Sequence, residues 1–430
     1  MKASQVQADT ETVCLIGIQM QGQADHEAWG LLSELRELVE NLGWVVACQE
    51  MVHLNHFSAE FLLGSGKTHT IIQLAQAHQA SMIVLDQALS PSQGRNWEKA
   101  SGLRVLDRQE VILNIFLERA QTEEAVLQVD LACMEYMLPR LKRAWTHLSR
   151  QRGGASTQRG EGEKQIELDQ RLVRQRISKL KKEIKDVERH RDVQRSKRLK
   201  IPIPSAAIVG YTNVGKSSLL NALTHAHVLA EDKLFATLDP STRRVCLPSG
   251  QPFLLTDTVG FIRRLPHRLI EAFKATLEES LYADFLIHVL DVTSDSVDDH
   301  YQTTTQVLAE LGAGDKPVLI VFNKIDQLTD DCRRVDLQAR FPGNLWISAK
   351  TQQGIDLLYA RIQSLLDEQR VFMQLNIPFD EYAIVHRLHE VGAVLKEKAQ
   401  DNGVYLSAYV PKPWIGLVQR FKQSPDQSIS

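Results

Sequence analysis

Apolar residues along this chain follow two different rhythms. Up to about residue 123, short apolar runs ("TVCLIGIQM", "GWVVACQE", "SMIVLDQ", "GLRVLDR") alternate with amphipathic stretches. The clearest of the latter, "HEAWGLLSELRELVENLG", ends at Gly43, a residue suited to closing a helix. Strands alternating with helices predict a small parallel α/β domain over residues 1–123.

Over residues 124–200 the rhythm changes. Leu127, Leu131, Met134, Leu138, Leu141, Trp145 and Leu148 recur at spacings of four and three, and Val173, Ile177, Leu180, Ile184 and Val187 repeat the pattern after a glycine-rich break. Two heptad-like stripes joined by a loop predict a long antiparallel helical hairpin. Pro139 lies inside the first stripe and is expected to kink or interrupt it.

The prolines of "KIPIPSAAIVG" mark the next boundary. From 201 to 367, strand and helix patterns alternate again through "FLLTDTVGF", "DFLIHVLDV", "KPVLIVFNKID" and "NLWISAK". The remainder, 368–430, reads strand, helix, strand, helix, with "EYAIVHRLHEVGAVLKEKA" as one helix, and predicts a small α+β domain.

A length of 430 residues fits several domains, and 43% hydrophobic with 24% charged residues is the composition of a globular protein. Five scattered cysteines without CxxC spacing fit a reducing compartment. The start, "MKASQVQADTETVCLIGI", has no apolar stretch of signal-peptide length, and no run approaches the roughly 20 residues of a membrane span. The expectation is a cytoplasmic protein with no membrane insertion, peripheral association being left open.

Chemistry enters through phosphate-binding loops. "GYTNVGKS" has the full GxxxxGK[ST] spacing: Gly210 closes a turn after a strand, Tyr211, Thr212, Asn213, Val214 and Gly215 wrap phosphates with backbone N–H groups, Lys216 reaches the β- and γ-phosphates, and Ser217 binds Mg²⁺. An earlier stretch, "LLGSGKTHTI", imitates it. Five residues before Gly66 stands Phe61, not glycine, and no clear strand precedes it, so a turn leading into a helix is the better reading.

Three further motifs follow "GYTNVGKS" in order. "DTVG" (Asp257, Thr258, Val259, Gly260) supplies an aspartate for the Mg²⁺ shell and a glycine N–H for the γ-phosphate. "NKID" (Asn323, Lys324, Ile325, Asp326) ends in a carboxylate that accepts both N–H groups of guanine, which adenine cannot satisfy. "SAK" (Ser348, Ala349, Lys350) offers a backbone N–H to guanine O6. All four motifs close strand-like runs, where a doubly wound sheet binds ligands, so 201–367 reads as a Ras-like P-loop GTPase domain. The switch segment "LFATLDPSTRR" must hold a hydroxyl for Mg²⁺ and the γ-phosphate, and Thr237, Ser241 and Thr242 qualify by chemistry. After DTVG, where Ras-like enzymes carry a water-orienting glutamine, stands Phe261. Slow intrinsic hydrolysis follows, with a catalytic contribution from a partner.

Residues 139–200 hold 20 Lys/Arg and 8 Asp/Glu, a net +12, so the rest of the chain carries about −15 of the total −3. One basic projecting element with a glycine-rich tip suits RNA phosphates read by shape rather than sequence. The histidine pairs 386/389, 53/56 and 225/227 lack partners at zinc-site spacing and read as ordinary exposed residues.

"GYTNVGKSSL", "LFATLDPSTRR", "DTVGFIRRLPH" with "AFKATLEE", and "NKID" resemble the HflX family of ribosome-associated GTPases, as do "LPRLKRAWTHLSRQRGG", "QIELDQR", "RISKLKKEI" and "QRSKR" upstream. The resemblance covers nearly the whole chain and is most specific over about 139–350. It implies a GTPase that binds the large ribosomal subunit and its rRNA as a monomer, splits stalled or idle ribosomes in its GTP state, and leaves after hydrolysis. It makes Ser217 and Thr237 the Mg²⁺ ligands, places Phe235, Ala236, Thr237, Leu238 and Asp239 along the nucleotide, and assigns the chemistry to Lys216, Thr237 and Gly260. Asn213 matches an asparagine with which some related GTPases hold K⁺, which raises K⁺ activation as a hypothesis. This chain departs at the hairpin tip, with "GEGE" at Gly160–Glu163 for the family's GPGE and "DQR" at Asp169–Arg171 for an acidic residue followed by two arginines. A GTPase of large-subunit assembly, and a GTP-gated RNA-binding module with negligible turnover, stand as alternatives.

Overall fold

In a computed structural model the described residues are 11–143, 159–198, 203–224, 234–235, 240–264, 279–368, 370–390, 394–400 and 402–422. The chain divides into two compact units.

The first unit comprises residues 1–187 with two short stretches from further along, 232–239 and 263–274. Its sheet consists of β1 (Thr12–Met20), β2 (Val45–Leu54), β3 (Met82–Leu85) and β4 (Arg104–Asp107), in the order β2-β1-β3-β4 and parallel throughout. Helix α1 (Asp25–Asn41) turns Leu31, Leu32, Leu35, Leu38 and Val39 inward, the i, i+3, i+4, i+7 spacing of an amphipathic helix. Helix α2 (Ser65–Ala77) begins inside the imitation loop: Gly64 is its extended cap, and Lys67 donates to the carbonyl of His53. No phosphate cradle forms there. Helix α3 (Pro91–Ser101) is fixed by a Ser90/Gln93 capping box and ends at Gly102 with φ 71°.

Helix α4 (Arg108–Arg119) opens on a buried ion cluster. The Arg108 guanidinium donates to Glu34 Oε1 at 2.6 Å and to Asp86 Oδ1 at 2.9 Å. Arg263 Nε donates to Glu34 Oε2 at 3.2 Å, and Arg264 to Asp86 Oδ2 at 2.7 Å. Charges this deeply buried persist only when paired and hydrogen-bonded.

Helix α5 (Glu123–Met137) stops one residue before a 3₁₀ turn, Leu138–Arg143, that contains Pro139, the interruption expected there. Its buried face is Ala125, Val129, Ala132 and Tyr136, two positions off the stripe read from sequence and so on the opposite side of the helix from Leu127, Leu131 and Met134, which are half-buried. On α6 (Arg159–Arg198), Leu180 and Ile184 are buried, and Val173, Ile177 and Val187 are half-buried. Ion pairs Asp130–Arg176 and Glu135–Lys181 link α5 to α6. They advance in step along both helices rather than in the opposed order of a close antiparallel ladder. Trp145, Leu148 and the tip's glycine pair at 153–154 lie outside the described residues.

The second unit contains a six-stranded sheet in the order β10-β9-β8-β5-β7-β6. The strands are β5 (Ser205–Gly210), β6 (Ser241–Cys246), β7 (Pro252–Asp257), β8 (Phe285–Asp291), β9 (Val318–Asn323) and β10 (Leu345–Trp346). All neighbours are parallel except the β6–β7 edge pair. Helices α7 (Lys216–Thr224), α8 (Val297–Glu310), α9 (Asp331–Arg340) and α10 (Ile355–Glu368) alternate with these strands.

A separate antiparallel sheet follows, of β11 (Arg370–Ile377), β12 (Val394–Gln400) and β13 (Gly403–Pro411), ordered β11-β13-β12, with α11 (Tyr382–Glu390) between its first two strands. Here the reading of one long helix over "EYAIVHRLHEVGAVLKEKA" is corrected. The helix ends at Glu390, and "VLKEKAQ" is an edge strand. A glycine at 392 stands between them, and β13 supplies the hydrogen bonds that outweigh the helical propensity of Leu, Lys, Glu and Ala.

Candidate nucleotide-binding site

The four motifs stand at the C-terminal ends of four strands of the second unit's sheet, β5 and β7 on one side of β8, and β9 and β10 on the other. Gly210 closes β5, Asp257 closes β7, Asn323 closes β9, and Ser348 follows β10 by two residues. Strands this buried (β5 reads Ser-Ala-Ala-Ile-Val-Gly with one half-buried residue) place the loops at one edge of the sheet.

The phosphate loop needs its glycines. Gly210 has φ 150° and Gly215 φ 90°. A Cβ at Gly210 would lie 2.4 Å from the Val289 carbonyl, and one at Gly215 2.3 Å from Asn323 Nδ2. Asn213 also takes a left-handed conformation, φ 60°, which asparagine tolerates better than most residues.

Asn323 clamps two motifs together. Its Nδ2 donates to the Val214 carbonyl at 2.8 Å, and its Oδ1 accepts from the Ala349 N–H at 2.9 Å. Ser348 Oγ donates to Asp326 Oδ1 at 2.6 Å, and so aims the carboxylate expected to read guanine. Lys324, at φ 67°, pairs with Asp291 Oδ2 at 2.7 Å. Asp291 was not singled out from sequence, although an acid closing the apolar run "DFLIHVLD" was the available signal. Thr258 is buried, with its hydroxyl on the Ile208 carbonyl at 2.7 Å, and Val259 is buried beside it.

Lys216 is buried, and its Nζ donates to the Tyr211 carbonyl at 2.6 Å. Burial pulls its ammonium down to about 8, and the nearby Asp257 carboxylate opposes that pull. His288, in the middle of β8, is buried and lies parallel to Tyr301 at 5.3 Å. Desolvation, assisted by the Lys216 charge, lowers it to about 3, so the ring is neutral. Tyr211 stacks on His300 at 3.7 Å between centroids.

Ser217 Oγ donates to Asp257 Oδ2 at 2.6 Å. Mg²⁺ takes hard oxygen ligands, and a hydroxyl and a carboxylate already in contact are a donor set that fits it. Thr237, with Ala236, Leu238 and Asp239, lies outside the described residues. Phe235 is described and belongs to the first unit, where its ring meets that of Phe116 edge-on at 4.7 Å. Tyr211 bridges to Phe261, Thr212 and Lys350 lie in turns after their strands, and Ile325 opens a 3₁₀ turn, Ile325–Gln327.

Gly260 and Phe261 lie along the phosphate loop. Phe261 N–H donates to the Gly210 carbonyl at 3.1 Å, and Thr212 N–H donates to the Phe261 carbonyl at 2.8 Å. A Cβ at Gly260 would meet Lys216 Nζ and Thr212 Cα, each at 2.8 Å. The Phe261 side chain is fully buried, so it fills core where a glutamine would face water.

Residues 30–117 match the family described as GTP-binding GTPase N-terminal, 119–198 the GTP-binding GTPase Middle Region, and 205–324 the 50S ribosome-binding GTPase. The GTPase HflX of Akkermansia muciniphila is 45% identical over 96% of this chain and 97% of its own. That of Lacrimispora saccharolytica is 45% identical over 93% of this chain and 94% of its own. The solved structure of SsGBP in complex with GDP aligns with 83% of this chain and 98% of its own, at 27% identity and a TM-score of 0.48. Identity of 45% along nearly the whole of both chains, together with the four motifs at the strand ends, means that the chain belongs to the HflX family of GTPases and is a GTP hydrolase.

Proposed function

We propose that this GTPase binds the large ribosomal subunit in the cytoplasm, dissociates stalled or idle ribosomes in its GTP state, and leaves after hydrolysis. The observation that carries the reading is the pairing of a GTPase site with a segment of net +12 over residues 139–200 in a chain that is acidic elsewhere. The match of residues 205–324 to a 50S ribosome-binding GTPase family supports the choice of partner. The four-part division at 123, 200 and 367 belongs to this reading, with the hairpin as the RNA-contacting arm.

Within it, Lys216 leaves the Tyr211 carbonyl for the β- and γ-phosphates, and Gly260 N–H meets the γ-phosphate. Val214 through Ser217 wrap the phosphates, while Asp326, aimed by Ser348, and Ala349 N–H read guanine. Ser217 and Thr237 would hold Mg²⁺, whose charge offsets that of the phosphate oxygens. The buried Phe261 leaves water positioning to a group outside the pocket, and the ribosome is the partner that supplies it.

The test is GTP hydrolysis with and without large subunits or whole ribosomes. Sucrose gradients are run on the same samples with a non-hydrolysable GTP analogue. Stimulation together with separation into subunits is the expected result; intact ribosomes and unchanged turnover would overturn the reading.

A further inference from the structure

The C-terminal sheet has two unlike faces. One is core: Met373, Leu375, Ile377, Val404, Leu406, Ala408 and Val410 pack with Ile384, Val385 and Leu388 of α11. Residues on the other face follow from the register. Phe372 stands opposite Tyr409, Gln374 opposite Ser407, and Asn376 opposite Tyr405. Lys396 continues the Ser407 row and Lys398 the Tyr405 row. Directly opposed residues share a face, so this face presents Phe372, Tyr409, Tyr405, Lys396 and Lys398 among short polar side chains.

Phe372 is 48% and Tyr409 38% exposed, with their rings 5.5 Å apart. Gln374, Lys396 and Lys398 are exposed as well. The carboxylate between the two lysines, Glu397, lies opposite Leu406 on the core side and meets His389 of α11 at 2.8 Å. No acid therefore stands in the three rows, and the face is cationic as well as aromatic.

We infer that this open sheet face binds single-stranded RNA, with bases stacking on Phe372, Tyr409 and Tyr405 and phosphates meeting Lys396 and Lys398. Flat rings on adjacent strands take unpaired bases because every base has a π-face, and the exposed amide of Gln374 can bond base edges. Tyr405 and Tyr409 are four residues apart on one strand, about 13 Å, which spaces two stacking positions along an extended strand of RNA. An apolar protein partner would want aliphatic side chains in the middle rows, where Gln, Asn, Ser and Lys stand instead. The inference deepens the ribosomal reading by naming a second RNA contact apart from the basic arm.

The experiment uses the full chain and a fluorescent oligouridine of about twelve nucleotides. The double variant Phe372→Ala/Tyr409→Ala should bind about a hundredfold more weakly, about tenfold per ring. Lys396→Ala/Lys398→Ala should reduce the slope of log affinity against log salt by about 1.4. GDP affinity and basal hydrolysis should not change, since these residues lie outside the nucleotide pocket. Ultraviolet crosslinks to the probe should map to Tyr405 or Tyr409. Affinities and salt slopes equal to those of the unmodified protein overturn the inference, as do crosslinks from this face to a ribosomal protein rather than to RNA. Ribosome-stimulated hydrolysis by the unmodified protein is measured in parallel. Its absence fails the ribosomal reading, whereas its presence with unaltered sheet variants fails this inference alone.

Discussion

Lys216 donates its ammonium to the carbonyl of Tyr211, 2.6 Å away and five residues back on the same loop. The cation proposed to meet phosphate thus rests on the loop proposed to hold it. Burial brings its proton within reach of ordinary pH, at about 8 against 10.5 for a free lysine. Because the folded value is the lower one, the folded protein binds fewer protons than the unfolded chain between pH 8 and 10.5. The cost of the buried charge is therefore fully present below 8 and relieved as pH rises.

Nucleotide binding should show the opposite trend, since phosphate needs the charged form. GDP affinity should fall about tenfold for each pH unit above about 8, while Lys216→Arg, always charged, should give a flat profile whatever its absolute affinity. Titration with a fluorescent GDP analogue reads both. The same slope in the two proteins would remove Lys216 as the titrating group.

Asp326 accepts the hydroxyl proton of Ser348 at 2.6 Å, which leaves its second oxygen to a ligand. Guanine offers two N–H donors to a carboxylate, and xanthine offers one donor and one carbonyl, which suits an amide. Asp326→Asn should lower GTP affinity by at least about 100-fold and bring in XTP binding. Ser348→Ala should cost about tenfold for GTP, the worth of one hydrogen bond to a charged group, without admitting XTP. Competition between the two nucleotides measures both. Unaltered preference in Asp326→Asn would mean that the base is read elsewhere.

The pocket's motifs were legible because each lies within a few consecutive residues: the spacing of Gly210, Gly215 and Lys216, or Asp326 three positions past the end of an apolar strand. The clamp made by Asn323 was not, because its partners Val214 and Ala349 are 109 and 26 residues away and only the sheet order brings them together. Strand β12 was hidden for a related reason. Leu395, Lys396, Glu397 and Lys398 are all exposed, so burial leaves no alternating trace at an edge, and pairing with β13 alone makes the strand. On α5 the period was right and the phase two residues off, because the half-buried side towards α6 and the fully buried side of the helix fall on opposite faces.

Phe261 occupies the position of a water-orienting glutamine, but its ring is fully buried while its backbone bonds Gly210 and Thr212. Restoring glutamine should not restore that chemistry. Phe261→Gln would bury an amide or empty the ring's site, at about 2–4 kcal/mol of stability, with no gain in intrinsic turnover. Phe261→Leu should cost less and leave turnover where it is. Single-turnover hydrolysis and thermal melting measure the two effects separately. A rise in intrinsic rate for Phe261→Gln would show that the side chain can turn to the γ-phosphate.

Glu34 accepts from two arginines, Arg108 at 2.6 Å and Arg263 at 3.2 Å, and Arg108 also reaches Asp86 at 2.9 Å. Glu34 and Arg108 are buried, so each charge is tolerable only because of the others. Glu34→Ala should therefore destabilise the first unit by about 3–5 kcal/mol, far beyond the loss of a surface ion pair, because it leaves Arg108 buried with one carboxylate instead of two. The double variant Glu34→Leu/Arg108→Met removes the stranded charge with its partner and should be milder than the sum of the single changes. Denaturant unfolding of the four proteins in the cycle yields the coupling. Additive effects would mean that the cluster is solvated enough for its members to act independently.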